Sequence, residues 1–576
     1  MFKYFFLILN FFKKKNKLSV FYLILFMVIG AFLEALGIVL LIPLISFMIE
    51  NDLSEKFFFI KDLEIIQSLT KIELLYFCLF IFLFIMILKS LFMVFLSWYK
   101  QTIYNDLMKQ ISRRLFHFYL NMDYLKYLKS DSGSLIRNIT KGSNDVINGY
   151  LSSCINFILE FFIIVFMSVI LIRLDTLSFF FSAIFFAIIV FVYVFLTKNK
   201  LKKWGKLNMD YSAEQVKFLQ YGIHGLKDIR ILGKSEIFIK NYINFLNRTN
   251  IINAKLKVFE EIPRYLFELL FVVIISLFIY YQVSIKSNSP SEVLVLLAIF
   301  AAISFKLVPS INRIVRTTQA IKFNTPLTKV ILDELNFSQN YDDVKYLEQE
   351  KIFNFSQIEF KDVSFSYKEN EKNILDKINY KFLNNRKIAI SGKSGSGKTT
   401  MIDLFTGLLK PSSGSILIDS QNLINKKKSW QNIIGYVPQT VYLLNESLKR
   451  NIAFELDDEK IDEEKVELII KKTQLSGLVD RMKDGVNTNI GDKGSNLSGG
   501  EKQRIGIARC LYRDPKIIIM DEATASLDTD TERLILKEIL DNLSKDRLII
   551  MISHKKELIK EFCDEVILID QGRIIN

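Results

Sequence analysis

Cysteine is scarce in this chain. The four present, Cys78, Cys154, Cys510 and Cys563, stand at no spacing that would hold a metal, which excludes a cysteine zinc site and leaves ordinary free thiols. No secretory signal is expected at its start either. The opening MFKYFFLILNFFKKKNKL carries its lysines after the apolar stretch, the reverse of a signal peptide, and has no small-residue cleavage site. It reads as a helix lying on the inner membrane surface. The net charge of +14 is not gathered into a nucleic-acid-binding patch. Lysine and arginine concentrate at 13–17, 109–141 and 198–206, between long apolar runs, as the positive-inside bias requires of cytoplasmic stretches. The charge thus reports topology, with both ends cytoplasmic, and no nucleic-acid partner is expected.

What the chain does have is apolar length. Runs at 18–49, 72–99, 146–172, 177–196, 258–283 and 291–314 each reach or exceed the roughly 20 residues that cross about 30 Å of hydrocarbon as a helix. Six membrane spans are expected over 1–322. The connections at 100–145 and 198–257 keep helical periodicity, so the spans are expected to continue into the cytoplasm as unbroken helices. The segment 51–71, NDLSEKFFFIKDLEIIQSLTK, reads equally as an amphipathic outer helix or a plain loop. Composition changes near 320. Residues 323–356 read as a polar linker, and 357–576 as an α/β domain, because short β-branched runs (KIAISG, SILIDS, KIIIMDE, RLIIMIS, EVILID) alternate with helical segments in the manner of a parallel sheet.

Within that domain GKSGSGKT follows the strand KIAIS and opens a helix, the context a phosphate-binding loop needs. Gly392, Lys393, Ser394, Gly395, Ser396, Gly397, Lys398, Thr399 and Thr400 are the phosphate-binding candidates. The glycines let backbone amides close around phosphates, Lys398 neutralises the terminal charge, and Thr399 can ligate Mg²⁺. In IIIMDE, a buried strand places Asp521 beside the metal and Glu522 where it could polarise a water. A second glycine turn, GSNLSGGEKQR, opens a basic helix at Ser498, Gly499, Gly500 and Glu501.

At these residues the chain resembles the ATP-binding cassette proteins, from about 357 to the end. The resemblance implies that Tyr367 stacks on adenine, Gln439 contacts Mg²⁺, His554 contacts the γ-phosphate, and Asp528 lies on a loop crossing to a partner subunit. It also implies that the Ser498 turn binds the γ-phosphate held by the opposite domain. One chain carries one phosphate loop and one such turn, so a second copy is needed and a homodimer is expected. Glu501 stands where the family has glutamine, and ASLD at 525–528 where it has SALD. Neither change removes a phosphate ligand, a metal ligand or Glu522, so both ATP sites are expected to hydrolyse.

NTNIGDKGSNLSGGE, YLKSDSGSLIRNITKGSNDV and IHGLKDIRILGKSEIFIKNY resemble segments of the exporter class. Cations on the apolar runs speak to substrate: Lys89, Arg264, Lys306, Arg313 and Arg316. A cation near mid-bilayer costs roughly 2.5 to 3.5 kcal/mol on insertion scales, so it is paired or faces a wet cavity. Arg316 suits interfacial snorkelling, and Arg264 reads either way. Lys306 and Arg313, seven apart, share a helix face. A cationic path implies an anionic substrate. EIPRYLFELL and FKLVPSINRIV resemble the bacterial flippases for lipid-linked oligosaccharides of protein N-glycosylation, with Lys89 and Lys306 where arginine would stand. That resemblance implies an inner-membrane exporter of a polyprenyl-pyrophosphate-linked oligosaccharide. The alternatives are another amphiphile, such as a lipid A precursor or a peptide, or an ATPase-gated channel or sensor.

Overall fold

The structure, a computed structural model, describes residues 2–40, 71–174, 176–285, 290–342, 354–368, 372–542 and 546–575. The outer segment 51–71 falls almost wholly outside the described residues. The chain divides into two compact units, one of 1–122 with 130–344 and one of 123–129 with 345–576.

In the first unit a short helix α1 (Lys3–Asn10) precedes α2 (Lys14–Val39). The long helices follow: α3 (Lys71–Asn121), α5 (Ser152–Leu174), α6 (Thr176–His224), α7 (Ser235–Tyr280) and α8 (Pro290–Asp342), with α4 (Tyr124–Lys129) standing in the second unit. Their 51, 49, 46 and 53 residues, α5 aside, exceed a membrane crossing more than twofold, since α3 alone spans about 75 Å at 1.5 Å per residue. Among the described residues, four stretches are long and apolar enough to cross a membrane: Lys14–Gly37, Leu75–Asn121, Asp145–Ile172 and Ser235–Tyr280. The remaining two apolar runs, 177–196 and 291–314, lie within α6 and α8, part of whose side chains are outside the described set.

The polar linker expected from 323 begins as helix. α8 continues to Asp342, and Phe323, Leu327, Ile331 and Leu335 are buried along it at intervals of four. A buried stripe at that spacing is a packed helix face, which an average of composition over the stretch conceals.

The second unit contains two sheets. β3 (Lys387–Ser391), β6 (Ile434–Val437), β7 (Ile517–Asp521), β8 (Leu548–Ile552), β9 (Glu565–Asp570) and β10 (Arg573–Ile575) form a six-stranded sheet in the order β10-β9-β3-β8-β7-β6, parallel except at β10. β1 (Gln357–Phe365), β2 (Leu375–Leu383), β4 (Ser413–Ile418) and β5 (Gln421–Asn422) form a separate antiparallel sheet. The run SILIDS therefore belongs to β4 of the antiparallel sheet and not to the parallel one. Burial explains the division: β7 and β8 are buried at every residue, as strands covered on both faces are, whereas β4 alternates.

Candidate functional site

The glycine-rich turn joins buried β3 to helix α9 (Lys398–Phe405). Gly397 caps α9 with φ 108°, and a Cβ there would lie 2.7 Å from the Leu375 side chain. A Cβ on Gly392 would lie 2.2 Å from the Ile569 carbonyl oxygen. Only glycine suits either place. Lys398 is buried and folds back over the loop, its Nζ donating to the carbonyls of Gly392 (2.8 Å) and Lys393 (2.9 Å). The Ser396 hydroxyl is buried without a protein partner. Thr400 meets Tyr367 hydroxyl to hydroxyl at 3.3 Å, and the Tyr367 ring stands edge-on to Phe365. Tyr367 is thus at the loop, half-buried, while Ser394, Gly395 and Thr399 are exposed.

Three neighbouring parallel strands deliver the rest from their C-terminal ends, where α/β sheets place ligands. Gln439 follows β6, Asp521 and Glu522 end β7, and His554 follows β8. Glu522 gathers them: Gln439 Nε2 donates to its Oε2 at 2.7 Å, and His554 Nε2 lies 3.0 Å from its Oε1. Glu522 holds φ 48°, a left-handed backbone uncommon for a glutamate. Tyr436 donates its hydroxyl to Asp521 Oδ2 at 3.2 Å. Burial pushes the Asp521 carboxyl up, with Glu522 adding to the rise against Tyr436 and Lys398. Burial and the Asp521 charge raise Asp403, on α9, to about 6. Carboxylates crowded in this way call for a cation, and the oxygen set of Thr399, Gln439 and Asp521 suits Mg²⁺. Tyr436, on β6, and Asp403, on α9, escaped the sequence reading because the packing of strand and helix around β7, which no motif encodes, brings them to Asp521.

Ser498 caps helix α10 (Gly499–Tyr512) in a reciprocal box. Its Oγ accepts from Glu501 N–H at 3.3 Å, and Glu501 Oε2 accepts from Ser498 N–H at 2.8 Å. Arg481 donates to the other Glu501 oxygen at 2.6 Å. Burial works against the Glu501 charge, but the Ser498 bonds and Arg481 outweigh it and hold the carboxyl below its ordinary range. Glu501 in place of glutamine is therefore a working cap. The bonds of Ser498 and Glu501 go to each other and to Arg481, and among the described residues none reaches 392–400. Asp528 caps helix α11 (Thr529–Lys537) by accepting from Thr531 N–H at 2.9 Å. The neighbouring Ser526 N–H bonds Gln503 of α10 at 2.8 Å.

Of the cations singled out on the long helices, Lys306, Arg313, Arg264 and Arg316 are ion-paired. Lys306 Nζ meets Glu34 of α2 at 2.7 Å and Arg313 Nε meets Glu160 of α5 at 2.5 Å. Both glutamates are buried. Lys89 lies within electrostatic reach of Glu34 and Lys306. Lys306 and Arg313 thus engage two different helices instead of forming one bare basic face. Arg264 is exposed and paired with Glu268 of its own helix at 2.9 Å, which separates it from this group. Arg316 sits by Glu261 at 3.3 Å. Glu34 and Glu160 were missed, although a lone acid inside an apolar run (GAFLEALG, FILEFFIIV) is itself a signal. All four cysteines are free, and burial pushes the Cys510 and Cys563 thiols up to about 12 and about 11.

Residues 20–307 match the ABC transporter transmembrane region, and 375–525 match the ABC transporter family's nucleotide-binding domain. Among curated proteins, the chain is similar to the ATP-dependent lipid A-core flippase of Vibrio cholerae, 27% identical over 83% of this chain and 81% of that protein. The protein of the same description from Wigglesworthia glossinidia brevipalpis is 29% identical over 84% and 81%, and that of Escherichia coli K12 28% over 80% and 78%. Among solved structures, a bacterial Atm1-family ABC exporter with ATP bound shares the fold with a TM-score of 0.77 at 19% identity, covering 97% of this chain and 94% of that one.

Proposed function

The chain belongs to the ABC transporter family, and from that premise we propose that it is an ATP-driven flippase for a lipid with an anionic, glycan-bearing head group. The observation that carries the reading is the charge on the long helices. Lys89, Lys306 and Arg313 stand against two buried glutamates, Glu34 and Glu160, with Lys100 also in electrostatic reach of Glu160. The surplus positive charge suits an anionic head, which would share the cations with the glutamates. Relatives described as lipid A-core flippases, matched over both halves of the chain, favour a lipid A-type glycolipid. They lend no support to the polyprenyl-pyrophosphate-linked oligosaccharide of protein glycosylation.

Bound Mg²⁺-ATP supplies a transferable phosphoryl group and the charge neutralisation it needs. In our reading the turn 392–400 holds the phosphates and Lys398 leaves the loop carbonyls for them. Thr399, Gln439 and Asp521 would hold the metal. Glu522, flanked by His554 and Gln439, takes a proton from a water. Ser498 completes the site of a second copy, and the closing of two such domains moves the long helices between inward-open and outward-open arrangements. The nucleotide-binding domain and both termini are assigned to the cytoplasm of a bacterial inner membrane.

The test is transport in proteoliposomes, with a lipid A-core-type glycolipid and a polyprenyl-pyrophosphate-linked oligosaccharide offered in parallel and Glu522→Gln as control. ATP-dependent movement of the glycolipid alone supports the reading. Movement of the oligosaccharide alone restores the glycosylation assignment, and ATP hydrolysis without movement of either lipid overturns both.

A further inference from the structure

Ser498 has one hydroxyl proton, and that proton is already engaged. Its Oγ donates to Glu501 Oε2 at 2.9 Å, and its backbone N–H donates to the same oxygen at 2.8 Å. Ser498 and Gly499 stand exposed at the start of α10, while Glu501 is buried within the first turn. Burial works against the charge of Glu501, but the Ser498 bonds and Arg481 hold its carboxyl below the ordinary range, so it is ionised at neutral pH. A carboxylate there suits the positive end of a helix. It also competes with any phosphate drawn to the same amides, within about 5 Å, one helical turn. With Glu501 uncompensated, the turn would keep its hydroxyl proton and repel a second anion.

Arg481 changes that balance. It ends the short helix Ser476–Arg481, and its Nη2 donates at 2.6 Å to Glu501 Oε1, the oxygen that Ser498 does not use. Its Nε donates to the Gly477 carbonyl at 2.9 Å, so the guanidinium is held at two points. The carboxylate is thus divided, one oxygen to the arginine and one to the serine. A guanidinium on Oε1 draws charge from Oε2 and loosens its hold on the Ser498 proton. The same cation cancels the charge that a phosphate at the turn would meet.

We infer that Arg481 is a positioning residue for the ATPase, neutralising Glu501 so that the Ser498 turn can offer its hydroxyl proton and amides to a phosphate. Arg481 acts through Glu501 and not on the nucleotide itself. The inference rests on the reading in which this turn completes the ATP site of a second copy, and it supplies that turn's charge control.

The experiment uses the full chain in proteoliposomes, with kcat and KM for ATP from phosphate release, inhibition by ADP, and Tm measured side by side. Arg481→Gln is expected to raise KM for ATP about fivefold, the weight of one charge at a helix terminus. Inhibition by ADP, which has no γ-phosphate, is expected to stay as in the wild type. Adding Glu501→Gln to Arg481→Gln removes the charge at its source and is expected to bring KM back to within about twofold of the wild type. Arg481→Lys, which keeps the charge, is expected to keep KM low. Should Arg481→Gln not fold, Arg481→Met, which keeps the stem without the charge, takes its place. An unchanged KM with a lowered Tm would make the ion pair structural only and overturns the inference, as does a double variant whose KM stays as high as that of Arg481→Gln. Ser498→Arg separates this inference from the reading beneath it. ATPase intact in Ser498→Arg sinks both, whereas ATPase lost in Ser498→Arg beside an unchanged KM in Arg481→Gln sinks this inference alone.

Discussion

Glu522 sits in a left-handed backbone, a conformation that costs a non-glycine residue about 1–3 kcal/mol and persists where the surroundings enforce it. Here Gln439 and His554 clamp both carboxylate oxygens. Glu522→Gln is expected to lower ATP turnover by about 10²- to 10⁴-fold, the usual weight of a positioned base, with nucleotide binding retained; phosphate release and filter binding measure the two. Asp403 supplies a pH test. Its folded pKa of about 6 lies above the ordinary 3.8, so between those values the folded chain binds more protons and stability falls as pH rises. The penalty is complete above about 6 and absent below the ordinary value. Asp403→Asn is therefore expected to raise the Tm of the metal-free, nucleotide-free protein at about pH 7.5, with the gain vanishing near pH 4. An equal gain at both pH values would contradict the assignment. Glu522 and Asp521 were legible in IIIMDE. The strain and the Asp403–Asp521 repulsion were not, because they arise from tertiary neighbours far apart in sequence.

Among the elements, α6 and α8 approach each other at Gly205, where a Cβ would stand 1.9 Å from the Phe323 carbonyl oxygen. Backbone cannot yield as a flexible side chain does, so Gly205→Val is expected to lose folded, monodisperse protein on size exclusion. Gly477→Ala is the control, since a Cβ there meets nothing within 4 Å, and it should be neutral or slightly stabilising. The helices themselves were legible from apolar length and from periodicity carried past the membrane. The end of α8 was not: the stripe Phe323, Leu327, Ile331 and Leu335 is thin enough for its polar neighbours to mask. The assignment of β4 to a second sheet was equally hidden, because a short β-branched run does not state its partner.

For the whole molecule, the phosphate loop and the Ser498 turn occur once per chain, and among the described residues no hydrogen bond joins one to the other. Under a two-chain arrangement, Lys398→Ala and Ser498→Arg are each expected to be inactive alone. Mixed dimers of the two regain one site with both motifs intact, and ATPase should reappear on co-expression. Continued silence of the mixture would argue against sites shared between chains. The segment 123–129, flanked in sequence by long helices of the first unit, packs Tyr124 and Leu125 on the core of the second, a placement that sequence order does not suggest. The chain's class was written in its residues: apolar runs fix how much helix must leave water, and a phosphate loop is local chemistry whose glycines and lysine act within a few residues of one another. The state of the charges was decided in three dimensions. In the sequence Lys306 and Arg313 shared a helix face, paired or facing a wet cavity; folding brought Glu34, 272 residues from Lys306, and Glu160 against them, because a charge removed from water takes its partner from wherever the packing supplies one.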